Sequence, residues 1–227
     1  MPVLTDIPFS LDTNSLMARL RVAPESGDAR ALDELVRLAE RIGNPKAVYR
    51  EGFIEAGDSD TIRVDGVTFT SRMLSRNLSS VERVFAFVAT CGREVHEACP
   101  TEGDLVKDFW WDTIKDRLLM AARTHLTDHF RSKYRLGRKS TMSPGAGDAA
   151  VWPIEQQARL FALIGDVRGQ IGVELTDSFL MVPNKTVSGI TFPTEVDFRS
   201  CQVCRREGCP SRSGTFDERL WREVQGD

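Results

Sequence analysis

The sequence predicts an α+β fold in which a mostly antiparallel sheet packs against one dominant helix. Three observations carry that prediction. Residues 61–64 (TIRV) and 67–70 (VTFT) alternate in polarity, and Asp65-Gly66 stands between them. Both positions of a two-residue hairpin turn must tolerate positive φ, as Asp and Gly do. Residues 81–90 (VERVFAFVAT) form a nearly continuous apolar run, the pattern of a central strand. From 104 to 135, Leu105, Phe109, Ile114, Leu118, Leu119, Ala122, Leu126 and Phe130 make a helical stripe that Gly137 can terminate.

The remaining elements follow in chain order. Leu32, Leu35, Leu38 and Ile42 recur at helical spacing until Gly43-Asn44-Pro45 stops the helix. Residues 48–56 read as a strand, and His96 lies in a short polar helix. Ser143-Pro144-Gly145-Ala146-Gly147 is a loop by residue type. Helix returns over 153–164, with Pro153 acceptable in its first turn. Short extended pieces follow from 172, and 200–214 is a polar, Arg-rich tail with no core of its own. The expected organisation is a helix-and-hairpin part (1–80), a core (81–198) and a Cys-bearing tail (199–227), in one compact domain.

Composition narrows the function. At 227 residues and 41% hydrophobic, the chain can build a packed core. Its net charge of −3 disfavours bulk nucleic-acid binding. No apolar run reaches the ~20 residues of a membrane span. The N-terminus, MPVLTDIPFSLD, lacks the basic start and apolar stretch of a signal peptide. Five cysteines in such a chain read as thiols or metal ligands, and the expected location is cytoplasmic.

The strongest local signal is Cys201-Gln202-Val203-Cys204 followed by Cys209 and Pro210. A tight turn brings two thiolates to one side, and this spacing suits zinc or an iron–sulfur cluster. A closed site needs a fourth ligand, for which Cys91 and Cys99 are the candidates. Arg199, Arg205, Arg206 and Arg212 would lower thiol pKa there. Three unligated thiols, or a redox pair at Cys201 and Cys204, are the alternatives. His125 and His129 are one turn apart but lack the glutamate of a zinc-protease motif, so they read as a solvated helix face. Trp110 and Trp111 read as core. Trp152, in the glycine-rich connection, suits either packing or ligand stacking. The two glycines of the loop would let its backbone N–H and C=O groups approach a ligand. No Ser/His/Asp set, phosphate loop or dinucleotide fingerprint is present.

Residues 171–183 (IGVELTDSFLMVP) and 187–192 (VSGITF) resemble the reactivation domain family of cobalamin-dependent methionine synthase. That family carries G-x-x-LT-(E/D)-SF-x-M-x-P and then VSG-x-x-F. Ser143-Pro144-Gly145 resembles its R-P-A-P-G-Y loop, and 85–92 (FAFVATCG) its F-A-x-T-x-G strand and turn. The blocks fall in family order over 81–198, and the N-terminal part and Cys tail are similar to those of its stand-alone members. The resemblance implies a C-shaped α+β domain around a central twisted antiparallel sheet. It implies docking on a corrinoid-binding protein or methionine synthase core whose cobalt has slipped to Co(II). S-adenosylmethionine is held near that cobalt, and a flavodoxin- or ferredoxin-like donor supplies the electron. The ligand-binding positions so implied are Arg138, Thr141, Ser143, Pro144, Gly145, Ala146 and Phe198, with Ala146 and Trp152 facing the corrin. The chain departs from the pattern at Thr141, where the family has arginine, and at Ala146, where it has tyrosine. Arg138 and Lys139 lie close to the first departure. The family's acidic helix residue falls near Thr124, with Asp116 and Asp128 a turn or two away. Thr176, Ser178 and Ser188 read as structural hydrogen bonders as readily as functional groups. The chain is therefore expected to be an accessory to a corrinoid methyltransferase, with cobalamin supplied by the partner. The alternative is an iron–sulfur redox or docking accessory that does not bind S-adenosylmethionine.

Overall fold

Antiparallel pairing joins segments that lie far apart in the chain. The computed structural model describes residues 1–225 except 149, 197, 210 and 211, so Pro210 of the cysteine spacing lies outside the described residues. The first third contains β1 (Val3–Leu4), α1 (Thr13–Leu20), α2 (Gly27–Ile42), β2 (Lys46–Gly57), β3 (Thr61–Val64), β4 (Val67–Thr70) and α3 (Arg72–Leu78). The middle contains β5 (Arg83–Thr90), α4 (Arg93–Glu97) and α5 (Leu105–Tyr134). The last part contains β6 (Lys139–Met142), α6 (Gln157–Ile164), α7 (Val167–Ile171), β7 (Glu174–Leu175), β8 (Met181–Val182), β9 (Thr186–Pro193) and α8 (Glu218–Gln225). Three-ten turns occupy Ile154–Gln156 and Ser200–Val203.

The main sheet runs β4-β3-β2-β5-β9-β6, and β1 adds to the first half of β2. Every pairing in it is antiparallel. The expected hairpin is β3–β4, where Val64 faces Val67 across Asp65 (φ 41°) and Gly66 (φ 81°). β5 is central: Val48 and Val88 face each other on one side, and Val88 faces Ser188 on the other.

Strand alternation divides the core in two. Val84, Ala86 and Val88 of β5 join Ile190 and Phe192 of β9 in a cluster covered by α3, α6 and α7. Phe85, Phe87 and Ala89 point the other way, onto Ala122, Leu126 and Phe130 of α5. A third cluster forms where the first half of α5 meets α1 and α2, around Trp110, Trp111, Ile114 and Leu118. One helix of 30 residues, ~45 Å long, thus serves two cores.

The helix departs from expectation at both ends. Its first turn runs past the core, leaving Leu105 83% and Phe109 63% exposed, outside the buried stripe. It ends on Arg135 in a left-handed conformation (φ 52°), two residues before the expected Gly137. The expected 153–164 helix opens with the three-ten turn before α6. The tail does not stand apart: Val203 and Val224, with Phe198 just before it, complete the cluster under α3, α6 and α7. No helix among the described residues is long and apolar enough to cross a membrane.

Candidate functional site

β6 is an edge strand, and the loop that leaves it carries most of the positions singled out from the sequence. Thr141 faces Thr191 of β9, with their hydroxyl oxygens 2.9 Å apart. Ser140 on the opposite face donates to the Phe198 carbonyl at 2.9 Å. The Ser143 hydroxyl donates to the Ser188 carbonyl at 2.5 Å. β9 can come this close because residue 189 is glycine: a Cβ there would collide with the Met142 carbonyl and lie 2.7 Å from Ser143 Oγ. That gives the VSG motif a physical reason. The Ser188 hydroxyl itself is buried and has no hydrogen-bond partner among the described residues.

Pro144 is buried, whereas Gly145, Ala146 and Gly147 are exposed. Gly145 (φ 72°) and Gly147 (φ 87°) both need the left-handed region. The Gly145 N–H donates to the Trp152 carbonyl at 2.8 Å, and the Ala146 N–H to the Ser143 carbonyl at 3.2 Å. Those two N–H groups are already engaged, so the loop offers a ligand fewer donors than the sequence suggested.

Trp152 does not face outward. It is 1% exposed and meets Phe69 edge-on at 5.8 Å, so the expected corrin-facing role is corrected to core packing. A large apolar ring under a glycine-rich loop gains more from burial than from solvent. Phe198 is likewise corrected: it is 6% exposed, its ring belongs to the core, and it supports β6 from below. Arg138 is exposed at the start of β6, and its guanidinium donates to the Glu195 carbonyl at 2.7 Å. Burial, with Arg131 adding to it, lowers the pKa of the neighbouring Lys139. On α5, Asp116 is held by Lys185 at 3.2 Å and Asp128 by Arg131 at 3.0 Å.

The cysteine tail lies against the same loop. A Cβ on Gly147 would lie 3.2 Å from the Ser200 carbonyl oxygen and 3.6 Å from Cys204 Cβ. Two contacts that the sequence did not foretell add to the seat. Trp221 Nε1 donates to Asp148 at 3.4 Å, and Arg205 lies over the Trp221 ring at 3.4 Å. Trp221, the one tryptophan of a polar tail, is the available signal.

Cys201, Cys204 and Cys209 do not converge. Among the described residues no three His, Cys, Asp or Glu side chains are grouped to hold a metal ion. The arrangement therefore lends no support to the zinc or iron–sulfur expectation. A cation does gather this turn, but it is Arg212. Its guanidinium donates to the carbonyls of Cys201 (3.2 Å), Cys204 (3.1 Å), Arg206 (2.5 Å) and Gly214 (3.3 Å). Cys91 is 0% exposed among Trp110, Trp111 and Val95, and burial pushes its thiol up to about 12. It is a core residue and is corrected from a metal ligand. Cys99 is exposed and donates weakly to the Glu97 carbonyl at 3.7 Å. The Ser213 backbone N–H, then its hydroxyl, lower the Cys201 thiol.

His129 is also reassigned. Its Nε2 is 2.8 Å from the hydroxyl of Tyr49, a fully buried residue, and that hydroxyl meets Tyr134 at 3.1 Å. Burial, then the Lys133 charge, lower the His129 pKa.

A protein-family model described as vitamin B12 dependent methionine synthase, activation domain, matches residues 74–205. Among solved structures, the fold is similar to that of the MetH reactivation domain bound to AdoHcy. The TM-score is 0.57 at 18% identity, over 84% of this chain and 70% of that one. A comparison with curated protein sequences gave no match.

Proposed function

Because the chain belongs to the activation-domain family of vitamin B12 dependent methionine synthase, we propose that it reactivates a corrinoid methyltransferase partner with S-adenosylmethionine as methyl donor. One observation carries the reading: an exposed glycine loop fixed to edge strand β6, in a family whose solved relative holds S-adenosylhomocysteine. That molecule is what S-adenosylmethionine becomes when its methyl group leaves.

The partner's cobalt is the substrate. One electron from a flavodoxin- or ferredoxin-like protein converts Co(II) to Co(I). The Co(I) electron pair attacks the sulfonium methyl carbon, the carbon–sulfur bond breaks, and methyl-Co(III) and S-adenosylhomocysteine result. The reduction alone is uphill, and capture of Co(I) by the methyl group draws it forward. This chain's contribution is to hold the donor next to the corrin.

Its residues fit that task in a particular way. The carbonyl side of Gly145–Gly147 suits donors such as an adenine amino group or ribose hydroxyls. Arg138, just before β6, and Lys139 and the Thr141 hydroxyl on it are the groups suited to the ligand's carboxylate, in place of the family arginine. Exposed Ala146 gives the partner's corrin a small, apolar approach. The chain then acts as a cytoplasmic accessory to the methyltransferase. The iron–sulfur alternative has less support, because the tail thiols are not gathered.

Calorimetric titration of S-adenosylmethionine into the folded chain tests the proposal. One ligand per chain, weakened in Arg138→Ala, is expected. Absence of heat and of any thermal stabilisation by the ligand would overturn it.

A further inference from the structure

We propose that Cys201 and Cys204 form a thiol–disulfide exchange site for small disulfides of the glutathione class. The Cys204 N–H donates to the Cys201 carbonyl at 3.3 Å, closing a tight turn. The end Cα atoms of such a turn lie within ~7 Å, around the span that a disulfide bridges. Arg212 pins the same turn by donating to both cysteine carbonyls, so the two residues are held in place before any bond forms.

The two thiols are not equivalent. Cys201 Sγ accepts the Ser213 N–H at 3.3 Å and lies 3.6 Å from the Ser213 hydroxyl, whereas Cys204 lies under Gly147. Donors at sulfur favour its attacking form, which makes Cys201 the nucleophile and Cys204 the resolving thiol. Ser213 and Gly214 also line an open cleft of about 530 Å³, with Arg199 and Gln202 on its wall. The two cysteines lie beside that cleft rather than in its lining, and Ser213, which meets Cys201 Sγ, joins the cleft to the thiol.

The exchange balances in two steps. Cys201 sulfur attacks one sulfur of the incoming disulfide, and its proton goes to the departing thiol. Cys204 then attacks Cys201 sulfur, forming the Cys201–Cys204 bond and releasing the second thiol with its proton. The protein pair loses two electrons and the small disulfide gains them. Because Cys204 and Ser200 seat Gly147, the bridge forms directly under the exposed loop.

The test uses the full chain, reduced under anaerobic conditions and then exposed to oxidised glutathione, with mass-spectrometric mapping. A Cys201–Cys204 bridge is expected. Cys204→Ser should stall with one glutathione on Cys201, and Cys201→Ser should give no bridge at Cys204. Equal labelling of Cys99 and Cys209 without a 201–204 bridge would overturn the proposal. So would zinc or iron that copurifies on these thiols and blocks exchange. The exchange chemistry is independent of methyl-donor binding, so the two can fail separately.

Discussion

Replacing Trp152 with alanine separates a buried anchor from a partner-facing ring. The side chain is 1% exposed, meets Phe69 edge-on at 5.8 Å and lies in the cluster that holds Leu160, Ile190 and Phe192. Truncating a buried tryptophan removes its transfer free energy and leaves a cavity, about 3–5 kcal/mol in all. In a domain of this size each kcal/mol moves the melting temperature by roughly 2–4 °C, so Trp152→Ala should melt roughly 6–20 °C lower. Trp152→Phe should behave differently. It keeps a ring against Phe69 and removes an indole N–H that is buried without a partner among the described residues. Leaving such a group unpaired costs ~1–3 kcal/mol, which offsets much of the lost area. Scanning calorimetry on both variants is the assay. A Trp152→Ala melting temperature equal to wild type would mean that the ring is not a buried anchor and would return it to the partner-facing role.

Three further outcomes are expected. Gly189→Ala should destabilise the chain by about 1–3 kcal/mol, because the new Cβ meets the Met142 carbonyl and Ser143 Oγ. Hydrogen exchange should then report faster opening at β6, and unchanged protection there would contradict the close approach. His129 has a folded pKa below its ordinary value, so the unfolded chain binds its proton first and stability falls as pH drops below about 6.5. The loss levels off below the folded pKa, and His129→Gln should lack the part of the denaturation profile that sets in as pH falls through about 6.5. With the Cys91 thiol pushed up to about 12 and fully buried, iodoacetamide should label Cys201 first and leave Cys91 unmodified until the chain unfolds. Early labelling of Cys91 would show that this core opens readily.

The parts of the fold that were legible in the sequence are those with one dominant local signal. Asp65-Gly66 between alternating runs located β3 and β4 to the residue, because only such a pair suits both turn positions. The run ending at Thr90 located β5, since a strand buried on both faces shows no alternation. The stripe on α5 was right from Trp110 onward and wrong at Leu105 and Phe109, because periodicity says nothing about where a helix outruns its core. β6 escaped notice because four residues, Lys-Ser-Thr-Met, carry no apolar pattern, and their pairing to β9 is set by Gly189 far along the chain. The loop at 143–147 was read from its glycines, but the spent N–H groups depend on Trp152 and Ser143 geometry. The tail failed in the opposite sense. Cysteine spacing suggested a metal, yet Arg212 collects the turn's carbonyls, and a guanidinium hub has no spacing rule. Family block order located the matched region better than any single motif, because each block alone is short.

The most direct measurement of the central claim follows the visible spectrum of a cobalamin-dependent methionine synthase core lacking its own activation domain. The core is held as Co(II) with reduced flavodoxin and S-adenosylmethionine, with and without this chain. Conversion to methyl-Co(III), with one S-adenosylhomocysteine formed per cobalt, is expected only when the chain is present. Conversion at the same rate without the chain, or reduction with no methyl transfer in its presence, would contradict it.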